Sequence, residues 1–101
     1  MTSTPILYSG FCDAPLAFVT TYENSQYLFW RGFFDDELDD YPKDYEVFIL
    51  PNLSEKEIKE SWPLLPKKTV AFIGKISMDK VMFDPTKRES INIDTFERLV
   101  K

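Results

Sequence analysis

With 101 residues, 44% of them apolar and 16% aromatic, the chain can bury a core of rings as a single domain without disulfide or metal. Its net charge of −5 and pI near 4.6 exclude non-specific attraction to nucleic acid or to an anionic membrane, since both need Lys and Arg to offset phosphate. The absence of histidine removes the commonest general base, the Ser-His and Cys-His nucleophile pairs and the usual zinc ligand.

Thr4 to Tyr8 is short, apolar and β-prone, with Pro5 near its start, which predicts an edge strand. Ser9 to Pro15 is punctuated by Gly and Pro and reads as a loop. It holds the single cysteine, Cys12, which has no internal disulfide partner and lies beside the negative charge of Asp13. Leu16 to Tyr22 alternates as a strand, with Leu16, Phe18, Thr20 and Tyr22 on one face and Ala17, Val19 and Thr21 on the other. A polar turn at Glu23-Asn24-Ser25 leads into a returning strand, Gln26 to Phe34, that is apolar on both faces. Tyr27, Phe29 and Phe33, with Arg31 among them, oppose Leu28, Trp30 and Phe34. Such a strand is either central and covered on both sides or keeps one face for a partner.

The connection that follows, Asp35 to Glu46, carries the charge asymmetry of the molecule. Asp35, Asp36, Glu37, Asp39, Asp40, Asp44 and Glu46 stand against the single base Lys43, a net of −6 in a chain of net −5. The remainder of the chain is therefore close to neutral.

Val47 to Leu50 is an apolar run stopped by Pro51 and reads as a buried strand. Ser54 and Glu57 then have the spacing of a capping box, and Leu53 and Ile58 that of a hydrophobic staple, at the start of a short helix that Pro63 ends. Pro63 to Lys68 reads as a linker, Thr69 to Ile76 as a strand, and Lys80 to Phe83 as its partner strand. Asp84 to Glu89 is a solvated loop and Ile91 to Ile93 a short strand. Asp94 is the expected N-cap of a terminal helix whose apolar face is Phe96, Leu99 and Val100. The predicted fold is α+β: an antiparallel, meander-like sheet of five or six strands, a short helix after the fourth and a helix at the C-terminus.

Paired carboxylates can serve as acid and base, but one of them must be desolvated in a cleft, and a run such as Asp35 to Asp40 repels itself and attracts water. No phosphate-cradling glycine loop exists, because Gly10, Gly32 and Gly74 are far apart. Calcium is the more pointed alternative. Asp35, Glu37, Asp39, Tyr41, Lys43 and Glu46 fall on the ligand positions of an EF-hand loop, yet the sixth position is Asp40 instead of Gly and the ninth is a cation. Nothing else in the chain calls for a cofactor or a metal.

Ala14 to Phe18, a short polar turn, Tyr27-Leu28, an acidic break, Val47 to Pro51 and a Ser-capped helix together resemble a group of small bacterial domains of uncharacterised function. The resemblance covers residues 5–65 and implies a hairpin followed by a helix, with no activity attached. More coarsely, small, acidic, histidine-free single domains resemble immunity proteins, antitoxins and phage-encoded inhibitors. Those proteins neutralise basic nucleases or nucleic-acid-binding proteins.

The expected function is that of a non-enzymatic, acidic, inhibitor-type or anti-defence protein that docks on a basic partner protein. Its contact residues would be Asp35, Asp36, Glu37, Asp39, Asp40, Tyr41, Asp44 and Tyr45, with Trp30, Phe33 and Phe34 as ring anchors. Neither direct nucleic-acid binding nor a membrane role is expected, and a homodimer is the alternative use of the apolar strand. The N-terminus lacks the basic and apolar regions of a signal peptide, which makes the cytoplasm the expected compartment.

Overall fold

Alternation of apolar side chains with period two builds most of this molecule. The computed structural model describes residues 3–11, 14–31, 37 and 42–99, the last three by backbone only. Six strands form one antiparallel sheet: β1 (Ser3–Phe11), β2 (Pro15–Tyr22), β3 (Ser25–Trp30), β4 (Asp44–Leu50), β5 (Ala71–Ser77) and β6 (Ser90–Asn92). A short helix α1 (Glu55–Glu60) follows β4, and α2 (Asp94–Leu99) closes the described chain. The strands lie in the order β5-β4-β3-β2-β1-β6, a five-strand meander whose sixth strand returns to the far side of β1.

Both faces of the central strands are covered by the chain itself. On one face Ile6, Phe18, Tyr27, Phe29, Tyr45, Val47 and Ile76 meet Val81, Ile91 and Phe96. On the other, Val19, Leu28 and Leu50 pack under Ile58 and Leu65. The apolar character of β3 on both sides therefore has its explanation in the chain's own layers. Phe18 and Phe29 stack across the β2–β3 pair with ring centres 4.4 Å apart, and Tyr45 meets Phe18 edge-on at 5.3 Å. Each such aromatic pair adds about 0.5–1.5 kcal/mol to the burial of its rings.

Local chemistry sets the turns. The β2–β3 hairpin closes through Glu23 and Asn24, both at positive φ (48° and 68°), the pattern of a two-residue type I′ turn. Ser54 accepts from the Glu57 N–H and Glu57 accepts from the Ser54 N–H, so the capping box forms. Leu53 packs in the same cluster as Ile58, as a staple requires. An exposed Glu55–Lys59 ion pair at 3.2 Å adds a few tenths of a kcal/mol at most.

Five sequence expectations change. Ser9 to Phe11 continue β1 and Pro15 opens β2, with Ser9 paired to Ala17 and Phe11 to Pro15, so both strands run into the expected loop. Pro5 does not put β1 on an edge, because Ser3 to Pro5 pair with β6 and the rest of β1 pairs with β2. Residues 63–68 are no linker: Trp62–Lys68 is a 3₁₀ helix with Pro63 in its first turn and Leu65 fully buried. Lys80 to Phe83 is not a strand partner for β5. Met78–Lys80 is a 3₁₀ turn, Val81 enters the core, and Phe83 makes one isolated bridge to Ile91. This segment has to carry the chain across the sheet. Five strand spacings come to about 24 Å, and the twelve residues 78–89 reach that easily. Asp94 begins α2 instead of capping it, and the entering N–H of Asp94 is accepted by the Asn92 side chain at 2.9 Å. The expected extension of the returning strand over Gly32 to Phe34 lies outside the described residues.

Candidate functional site

Strand alternation decides which acidic side chains of the β4 end face outward. Asp44, Glu46 and Phe48 point to one face, and Tyr45 and Val47 to the other. Asp44 and Glu46 are exposed, whereas Tyr45 is wholly buried. Burial pushes the Tyr45 phenol well above its ordinary pKa, against the charge and hydrogen bond of Arg31, so it stays a neutral donor. Its hydroxyl donates to the Pro15 carbonyl at 2.6 Å. Tyr45 is thus a strut of the core, and its part in any docking surface is indirect.

The Asp44 face also carries rings. Trp30 pairs with Glu46 across β3–β4, Phe48 pairs with Phe72 across β4–β5, and the Phe48 and Phe72 rings lie 5.4 Å apart. Trp30 and Phe48 are half-buried against the α1 layer, while Phe72, on the edge strand β5, is 54% exposed. The result is a diagonal band of three aromatic side chains with Asp44 and Glu46 at its margin. Lys75 stands opposite Glu46 on the same face and gives that margin one cation.

The acidic connection is tied down where it leaves β3 and where it returns. Arg31, 2% exposed, donates from Nε to the Pro42 carbonyl at 2.8 Å and from Nη1 to the Ala14 carbonyl at 3.2 Å. Glu37 is exposed in a turn between those ends. Asp35, Asp36, Asp39, Asp40, Tyr41, Phe33 and Phe34 lie outside the described residues. The structure therefore brings Trp30, Asp44 and Glu46 together and adds Phe48, Phe72 and Arg31, none of which the sequence singled out as site residues. For Arg31 a signal did exist, since one cation sits among Tyr27, Phe29 and Phe33 on an otherwise apolar strand face.

A second acid-centred feature lies in the loop from Asp84 to Ser90. The Asp84 carboxylate accepts six hydrogen bonds from described residues, namely the N–H groups of Thr86, Lys87, Glu89 and Ser90 and the hydroxyls of Thr86 and Ser90. Desolvation opposes its ionisation, but these donors outweigh it and hold the carboxyl well below the usual carboxylate range. Among the described residues no group of three Asp, Glu, Cys or His side chains gathers as a metal site needs, and no helix is long and apolar enough to cross a membrane. No family model, no curated protein and no solved structure matches the chain.

Proposed function

We propose that this protein is a non-enzymatic binding module of the inhibitor, immunity or anti-defence kind, docking on a basic partner protein. The contact runs through the acidic segment 35–46 and the ring band that begins at Trp30. The observation that carries this reading is the shared face of Asp44, Glu46, Trp30, Phe48 and Phe72. Rings supply rigid contact area, and carboxylates supply orientation and association rate. A nuclease or another nucleic-acid-binding protein fits as target class, because such proteins cluster the Lys and Arg that a −6 segment complements.

The test is a parallel capture. Wild type and the variant D36N/D39N/D40N/D44N are immobilised and exposed to lysate of the native host at low salt. The wild type is expected to retain one basic protein and release it in about 0.5 M salt. The variant, melting at the same temperature, is expected to retain none. Equal retention by both proteins, or by neither, overturns the proposal.

A further inference from the structure

Three consecutive carbonyls at the start of β2 are occupied from the two ends of the acidic connection. Ala14 O accepts from Arg31 Nη1, Pro15 O from the Tyr45 hydroxyl, and Leu16 O from the Arg31 backbone N–H at 2.9 Å. The same guanidinium reaches Pro42 O through Nε and lies 6.0 Å from the Tyr45 ring centre. One residue past Pro42, the Lys43 carbonyl accepts from the Met78 N–H at 2.9 Å, which ties the returning chain to the 3₁₀ turn after β5. Residue 31, residue 42 and the β1–β2 turn are therefore joined through a single buried side chain.

We propose that Arg31 is the positioning residue of the acidic end of β4, Asp44 and Glu46, a cationic tie that fixes Pro42 against the start of β2 and so sets how the chain enters β4. Its consequence for binding rests on the function proposed above, whereas the tie itself stands without it. The residue type fits the task. A guanidinium carries donors that point in different directions from one rigid plane, and it stays charged when buried. A lysine keeps the charge but has one compact ammonium, which cannot serve Ala14 and Pro42 from separate edges. The charge matters as well, because the tie is bonded directly into a run of seven acids that repel one another. Closing the ten residues between Arg31 and Pro42 costs conformational entropy, and the tie offsets part of it.

Hydrogen exchange read by mass spectrometry separates this role from a general one in the core. In R31K, amides of Ala14, Leu16, Ala17 and residues 43–46 are expected to exchange about tenfold faster or more, with residues 47–50 and 55–60 unchanged. Association with the captured basic protein should slow, although the formal charge of the variant equals that of the wild type. R31Q, which also removes the charge, is expected to show the same selective pattern more strongly. A uniform rise across the sheet, no change at all, or loss of the fold in both variants would overturn the proposal and assign Arg31 to the core as a whole. Selective exchange in R31K while the wild type captures no basic protein sinks the proposed function and leaves the tie standing.

Discussion

In the 84–90 loop one carboxylate serves the fold. Asp84 gathers four backbone N–H groups and two hydroxyls, and the loop is wound around that anion. In the β3–β4 connection the polarity is reversed. There the gathering group is a cation, Arg31, and what it gathers are carbonyls of residues 14 and 42, while five of the acids fall between residues 31 and 42 in sequence and two, Asp44 and Glu46, stand on β4 just beyond. The first loop balances its charge with donors of its own. The second holds seven acids against one lysine within twelve residues, a net charge of −6. In the function proposed above, that charge and the adjoining ring band of Trp30, Phe48 and Phe72 meet a basic partner.

The contrast can be broken in steps. The largest effect on stability is expected from D84A, which takes the side-chain acceptor from the N–H groups of Thr86, Glu89 and Ser90 while Lys87 keeps the Asp84 backbone carbonyl, and which should lower unfolding free energy by about 2 kcal/mol in urea titration. Next comes the pH dependence of the same group. Its folded pKa is depressed, so its contribution is fully present above the ordinary value near 4 and is lost as pH falls toward the folded pKa. The stability gap between wild type and D84N should therefore start to narrow below about pH 5 and keep narrowing until the pH passes the depressed folded pKa, and a gap that stays constant through the acid range would rule out the anion as the organiser. Tyr45→Phe removes one buried hydrogen bond to Pro15 O and should cost about 1 kcal/mol. Smallest of all is D36N/D39N/D40N/D44N, which should stay within about 0.5 kcal/mol of wild type or gain slightly from relieved repulsion. A larger loss would show that these acids support the fold as Asp84 does.

Much of the fold is written locally. The capping box at Ser54 and Glu57 and the two faces of β2 and β3 follow from neighbours three or two residues apart. Non-local pairing does not. Nothing within Ser90–Asn92 says that it will lie against β1, and Pro5 looks like an edge residue until that pairing is known. Pro63 and Pro66 hide a 3₁₀ helix behind the signature of a linker, although the Leu65 it buries is apolar enough to hint at packing. The candidate site divides the same way. Alternation carried backwards from Val47 through Glu46 turns Tyr45 inward and Asp44 outward. The exposure of Phe72 depends on β5 being an edge strand, which only the assembled sheet decides.

The measurement that bears most directly on the acidic surface is the association rate of the captured basic protein as a function of ionic strength, for wild type and D36N/D39N/D40N/D44N side by side. Long-range attraction predicts a wild-type rate that falls at least about tenfold between low salt and about 0.5 M, and a variant rate that starts lower and barely changes. Dissociation rates should differ much less. Identical salt slopes for the two proteins would contradict the account, leaving the segment 35–46 as a solvated loop with no part in recognition.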